Sequence, residues 1–324
     1  MKESEDSSVG VGVVGLNKDA KILNDYSEST YSQFGEDGII AEILQRLESA
    51  VALDGWCAEF GAWDGIHLSN TCKLIRERSY SAVLIEGDPD RVKDLAKNFP
   101  EKNILKICRF VNFEGANSLD RIFADTPIPP NFDILSIDVD GVDYYIFESL
   151  HVYRPKVVCI EFNPTIPNAV DFVQAKDFTV NQGCSGRSLV RLAGAKGYAL
   201  VASTPCNLIF VDTAYLHAVS AHEVRLEDVN EKGNDPQYIF AGYDGTILSN
   251  KPEINLLWHS LAVPITKVQF LPASLRKHAA DYGSLKQLGL ILFLFFRLPR
   301  SAIGRLGDRI RARLSLNRSF ISKE

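Results

Sequence analysis

The chain has 324 residues, enough for one large domain or one domain with appendages. Hydrophobic residues make up 46%, ample for a packed core. The formal net charge of -6 argues against general affinity for nucleic acid.

The chain opens on Met-Lys-Glu-Ser-Glu-Asp, an acidic, polar stretch unlike a secretory signal, and residues 1–26 are expected to be poorly ordered. Six cysteines show no C-x-x-C and no metal spacing, so the cytoplasm is the expected compartment. Cys57, Cys108 and Cys159 lie in or beside apolar runs and read as small core residues. Ile39, Ile40, Ile43, Leu44 and Leu47 recur at helical spacing and predict an amphipathic helix.

Strands are predicted at Cys57 to Phe60, Ala82 to Ile85, Ile104 to Val111, Phe132 to Ile137 and Lys156 to Ile160. Helical segments fall between them: Cys72 to Arg78, Pro89 to Phe99, Ser118 to Phe123 and Tyr144 to Leu150. A polar loop from Thr165 to Gly186 precedes a helix over Ser188 to Ala195. Tyr198 to Ala202 and Leu208 to Val211 are close enough to pair as a hairpin. Strands alternating with helices predict an α/β fold with a doubly wound, mostly parallel sheet of seven strands.

Ligands of such sheets sit beyond the carboxyl ends of the strands. The first end carries Glu59-Phe60-Gly61-Ala62-Trp63-Asp64-Gly65. A dinucleotide turn has its middle glycine where Trp63 stands, so a cofactor without a pyrophosphate, S-adenosylmethionine, is the better match to Gly61 and Gly65. Glu86 follows Gly61 by 25 positions and ends the second strand, where an acid accepts ribose hydroxyls. Asn70 and Thr71, at a helix start, offer backbone N–H groups to a ligand carboxylate, and Glu59 faces the same crevice. His67 stands near the turn, as a site residue or a hydrogen-bonding loop residue.

Asp138, Asp140, Glu161 and Asn163 are expected to converge at the ends of strands four and five. Three uses are open. Asp138, Glu161 and Asn163 are oxygen donors suited to Mg2+ or another divalent cation that would acidify a bound hydroxyl. Alternatively, Asp138 or Asp140 is a general base. Or Asp140-Gly141 makes a turn and Glu161 binds backbone.

In order, Tyr31-Ser32-Gln33, the Glu59–Gly65 motif, Glu86, Ser118-Leu119-Asp120, Ile137-Asp138-Val139-Asp140-Gly141 and the late Gly197-Tyr198 before Asn207 to Val211 resemble class I S-adenosylmethionine-dependent methyltransferases, specifically the FkbM type. The resemblance covers roughly residues 31 to 212. It implies O-methylation of a saccharide or glycan hydroxyl, a cofactor domain over 27–212, and a cofactor role for Gln33. It departs at Trp63-Asp64 and at Gly87-Asp88, which weakens any transfer of substrate. Acids after strand four with acid and Asn after strand five are also similar to catechol O-methyltransferase, which implies the metal.

Residues 213–285 read as a loop-rich accessory region, with Trp258-His259 as a packed core pair or a cleft wall. The segment 286–324 combines apolar Leu288 to Phe296 with Ile303, Leu306, Ile310 and Leu314 at helical spacing between arginines. From Arg297 to Glu324, seven Arg and one Lys against Asp308 and Glu324 give +6, leaving -12 elsewhere. An interfacial anchor on the anionic, cytoplasmic membrane face is expected, with a packed or dimer-interface helix as the alternative. Two other functions compete: a metal-dependent glycosyltransferase using Asp138-x-Asp140, and a non-catalytic membrane-associated adaptor.

Overall fold

The computed structural model describes residues 22–220 and 224–299. The chain divides into two compact units, Met1–Pro236 and Gln237–Glu324.

The first unit is built on seven strands: β1 (Trp56–Phe60), β2 (Ser81–Glu86), β3 (Ile104–Cys108), β4 (Ile134–Ile137), β5 (Val157–Glu161), β6 (Tyr198–Ser203) and β7 (Asn207–Asp212). Their order is β3-β2-β1-β4-β5-β7-β6. The first five are parallel, and β7 runs antiparallel between β5 and β6. This is the doubly wound, mostly parallel seven-stranded sheet of the class I methyltransferase fold that the resemblance implies. The order reverses between β1 and β4, which opens a crevice at their carboxyl ends.

Apolar strand runs alternate between the two faces. Ala58, Val83, Leu135 and Val158 join one core with Leu119, Phe147 and Leu189. Cys57, Ala82, Ile134 and Cys159 join the other with Ile39, Ile43, Cys72 and Leu95. The helices α4 (Leu119–Ala124), α5 (Asp143–Ser149) and α6 (Gly186–Ala195) thus cover one face. The helices α1 (Glu36–Glu48), α2 (Cys72–Arg78) and α3 (Pro89–Asn98) cover the other. All five apolar residues that predicted α1 are buried.

Three sequence expectations change here. Leu23–Tyr26, inside the segment expected to lack order, form a 3-10 turn with Leu23 buried, and Asn24 donates to the Ser203 and Val229 carbonyls. Edge strand β3 stops at Cys108, which is exposed rather than in the core. The sheet unit also runs beyond 212 through α7 (Leu216–Val219) and α8 (Leu226–Val229), whose Val219 and Leu226 complete the two cores.

The amino end of the sheet is closed by a buried ion pair. Lys156 Nζ donates to Asp133 Oδ1 at 2.9 Å and to Asp54 Oδ2 at 2.6 Å, while Asp133 accepts from the Asp54 and Gly55 N–H groups.

The second unit holds two short hairpins, β8–β9 (Ile239–Ala241, Ile247–Ser249) and β10–β11 (Glu253–Leu256, Leu261–Pro264), and a final helix α9 (Ser284–Arg297). Trp258 is 56% exposed there, so it is not the packed core residue the sequence suggested. Among the described residues no helix is long and apolar enough to cross a membrane. Ile303 to Leu314 lie outside the described residues.

Candidate active site

The turn after β1 is fixed by contact with β4. Gly61 adopts φ +78°, and a Cβ there would stand 1.8 Å from the Asp138 carbonyl oxygen. Its N–H and that of Ala62 both donate to the Ile85 carbonyl at 3.2 Å. Trp63 follows at φ 50°, half exposed, with the Arg91 guanidinium 4.0 Å from its ring centre. Glu86 ties this turn to the end of β2: its Oε2 accepts from the Trp63 N–H at 2.9 Å and its Oε1 from the Asp88 N–H at 2.8 Å. Gly61 and Glu86 are therefore together at the crevice. Gly65 packs against the end of α3. A Cβ there would lie 2.5 Å from Phe99 and 2.8 Å from Leu95, so its lack of a side chain is demanded by the packing of α3. His67 is exposed, and its N–H with that of Ile66 caps onto Asp64 Oδ1.

The arm expected to hold a ligand carboxylate is closed from within. Glu59 Oε2 accepts from the Ser69 and Thr71 hydroxyls at 2.6 and 2.7 Å, and its Oε1 from the Asn70 N–H at 2.9 Å. Asn70 Nδ2 donates to Ser136 Oγ at 3.0 Å. The N–H groups of Thr71 and Cys72 turn to Ser69 Oγ, which thus caps α2. All four of these side chains are at most 5% exposed. Burial pushes the Glu59 carboxyl up to about 7, against the pull of the donors around it. Glu59, Asn70 and Thr71 are a buried brace behind the turn, not an open binding surface.

Gln33 lies on the loop before α1, exposed, with Cys206 Sγ 3.9 Å from its Oε1. Two acids missed by the sequence reading hold this loop. Asp37 Oδ2 accepts from three successive N–H groups, Thr30, Tyr31 and Ser32, at 2.8, 2.6 and 2.9 Å. Glu36 accepts from the Phe34 N–H and, across the sheet, from Thr204 Oγ1 and Asn207 Nδ2. The available signal was the Gly35-Glu36-Asp37-Gly38 run: acids beside glycines ahead of a helix are backbone acceptors.

The strand-end acids do converge. Asp138, Asp140 and Glu161 each offer a carboxylate oxygen within 4.8 Å of the others. Asp138 and Glu161 are hydrogen-bonded to each other. Burial, then the Asp138, Asp143 and Asp140 charges, holds the Glu161 carboxyl far above the usual range; burial and Asp140 raise Asp138 as well. Both carboxyls therefore hold a proton more readily than isolated acids do. Asp143, which the sequence reading passed over, is the clasp of this loop: it accepts from the Val139 and Gly141 N–H groups, both at 2.9 Å. Asp140 takes a left-handed φ of 55° inside that clasp. Asn163 is occupied elsewhere. Its Oδ1 accepts from Thr165 N–H and Oγ1 at 2.9 and 2.6 Å, and its Nδ2 donates to the Gln182 carbonyl. The oxygen expected to face a cation instead caps the turn after β5.

An aromatic shelf packs on the core along the loops that flank these strand ends. Phe113 and Phe178 stack at 4.5 Å, Phe110 meets Phe178 edge-on at 5.0 Å, and Tyr145 meets Phe113 at 5.7 Å. Gly87 lies against Phe110, and Gly141 against Gln174 and Val180, so the shelf loops border both the Glu86 end and the Asp138–Gly141 loop. Phe178 falls in the segment read from sequence only as a polar loop.

The sequence matches no family model and no curated protein. Solved structures do show likeness. One is the citrinin polyketide synthase CMeT domain, at 13% identity and TM-score 0.35, over 58% of this chain and 55% of that domain. The chain thus spans about half the length of that domain. A SAM-dependent methyltransferase from Aquifex aeolicus is similar at 12% identity and TM-score 0.31, over 52% of this chain and 88% of the other. Precorrin-6y C5,15-methyltransferase from Geobacter metallireducens GS-15 is similar at 14% identity and TM-score 0.34, over 57% and 92%.

Proposed function

We propose that this chain is an S-adenosylmethionine-dependent O-methyltransferase of the FkbM type that methylates a saccharide or glycan hydroxyl in the cytoplasm. The observation that carries the reading is the meeting, at the β1/β4 switch point, of a turn that only glycine can make, a strand-end acid beside it, and a cluster of two half-buried acids and one exposed acid at the ends of β4 and β5. S-adenosylmethionine, when bound, supplies an electrophilic methyl group to an acceptor oxygen. Glu86 keeps lone pairs beyond its two backbone bonds for the ribose hydroxyls. Gln33, beside Cys206 at the β6–β7 turn, takes the cofactor role that the resemblance implies.

Asp138 takes the acceptor proton. Its carboxylate is less solvated than a surface acid and so more basic, which suits a general base. Glu161 stands beside Asp138, and a proton shared between the two carboxyls orients them. Asp140 adds negative charge at the rim. The aromatic shelf supports a saccharide acceptor, because the apolar face of a sugar ring packs on aromatic side chains. The six free thiols agree with a reducing compartment.

A second reading rests on the acid trio itself. Its three oxygens are the donor type that suits Mg2+, and a bound cation would take the place of the shared proton. Asp138, Asp140 and Glu161 would hold the ion, without Asn163, and it would lower the pKa of an acceptor hydroxyl. The same trio would serve the metal-dependent glycosyltransferase alternative.

Calorimetry separates the classes. Binding of S-adenosylhomocysteine, lost in Glu86→Ala, supports the methyltransferase. Binding of a nucleotide sugar only with Mg2+ supports the glycosyltransferase, and binding of neither supports the adaptor. Full methylation of an acceptor in the presence of chelator would remove the metal and leave Asp138 as base.

A further inference from the structure

The C-terminal unit carries a feature that methyl transfer does not use. In α9, Leu285, Leu288, Leu292, Phe295 and Phe296 are 87, 54, 51, 57 and 81% exposed. At 100° per residue these five fall within roughly 100° of arc, so they form one stripe. The other side of the helix is packed. Phe293 meets Phe270 at 5.5 Å, Leu294 is buried, and Gln287 Nε2 donates to the Tyr282 carbonyl. The helix is thus held by one face with its most apolar face open. A contiguous apolar stripe of this size marks an interaction surface.

Charge identifies the occupant. The helix ends at Arg297, and the chain from there to Glu324 carries seven Arg and one Lys against two acids. The remainder of the chain has a net charge of -12. A second copy would bring the same basic segment against its own kind. An anionic surface attracts it. At 14 residues α9 spans about 21 Å, less than the roughly 30 Å of a bilayer core, so it cannot cross. An amphipathic helix with an apolar face and adjoining arginines lies in the plane of the interface.

We propose that the apolar stripe of α9 inserts into the headgroup boundary of an anionic lipid surface, with the basic residues that follow binding the phosphates. The proposal does not depend on the chemistry of the first unit.

The test is co-sedimentation of the full chain with phosphatidylcholine vesicles, with and without phosphatidylglycerol. Two variants accompany it. Leu288→Glu/Leu292→Glu/Phe295→Glu charges only exposed positions, and far-ultraviolet circular dichroism checks that it folds. Arg305→Gln/Arg309→Gln/Arg311→Gln/Arg313→Gln removes charge and leaves α9 intact. Wild-type binding to the anionic vesicles only, weakened about tenfold or more in each variant and by salt, supports the proposal. A wild-type chain that ignores phosphatidylglycerol overturns it, as does unchanged binding by the glutamate variant. Light scattering that shows a dimer, converted to monomer by the glutamate variant with no vesicle binding, assigns the stripe to a second copy and also overturns it.

Discussion

Replacing Gly61 by alanine tests the geometry on which the crevice depends. Two costs add at this position. A residue with a Cβ at φ +78° sits in the left-handed region, at about 1–2 kcal/mol. The new Cβ would also stand 1.8 Å from the Asp138 carbonyl oxygen. That oxygen is backbone, and the Val139 N–H of the same peptide group donates to Asp143 Oδ1 at 2.9 Å, so it cannot swing aside freely. Forcing β1 and β4 apart at their ends is overpacking, at about 1–3 kcal/mol. The sum is about 2–5 kcal/mol. Gly115→Ala is the control, because Gly115 has φ +75° with nothing within 4 Å of its Cβ position, and carries only the first cost. Urea unfolding of both variants should therefore separate them by about 1–3 kcal/mol, and thermal melts by roughly 2–4 °C for each kcal/mol. Equal destabilisation of the two would refute the contact between the strand ends. The S-adenosylhomocysteine affinity of Gly61→Ala, measured where it is still folded, should fall as well.

Four further outcomes are expected. Lys156→Met should lose about 3–5 kcal/mol in urea unfolding, because Asp133 then remains buried without its cation. Glu59 is protonated more readily folded, at about 7, than at its ordinary 4.5, so its contribution to stability is full below about 4.5 and is lost as pH rises through 7. The loss is on the order of 3 kcal/mol, and Glu59→Gln should flatten that slope when unfolding is measured across this window. Glu86→Ala should weaken S-adenosylhomocysteine by about 1.5–3 kcal/mol in calorimetry, and unchanged affinity would take Glu86 out of the site. Asp138→Asn should abolish methyl transfer in a radiolabel assay while S-adenosylhomocysteine still binds, and retained turnover would exclude it as base.

The sheet was legible because its central strands are buried on both faces and read as continuous apolar runs, as in Ala82 to Ile85. Strand ends were legible too: Glu86, Asp138 and Glu161 mark where apolar runs stop, and the last two do meet. What the sequence did not show was the partner each group takes within the chain. Glu59 was read as facing the crevice, and the hydroxyls ten and twelve residues on, Ser69 and Thr71, bond it; only the folded turn brings them there. Gly65 was read as a ligand glycine, and the constraint visible in the fold is its contact with Leu95 on α3 and with Phe99 just beyond it. Asn163 sits at the right strand end, but a threonine two residues later captures its oxygen. Asp143 offered no apolar boundary to mark it. The second unit was opaque because its strands are three or four residues long and mostly exposed, so no hydrophobic period develops.

The two ends of the sheet treat their acids in opposite ways, and that contrast bears on function. At the amino end, Asp133 is fully buried and its charge is met by Lys156 and two backbone N–H groups. That arrangement is stable as it stands and needs nothing further. At the carboxyl end, Asp138, Asp140 and Glu161 crowd together, Asp143 stands behind them, and burial with the neighbouring charges raises the proton affinity of Asp138, Asp143 and Glu161. Holding carboxylates in this way costs stability that an apolar cluster would not. Yet the loop is actively held closed around them, by the Asp143 clasp and by Asp140 in a left-handed conformation. A fully buried acid is matched by a lysine at the amino end, whereas the half-buried and exposed acids at the carboxyl end make no ion pair among the described residues. A proton or a cation could balance them, and either could be displaced. The acid–base or metal chemistry proposed for the Asp138–Glu161 pair would account for that difference, with the amino-end pair as its structural counterpart.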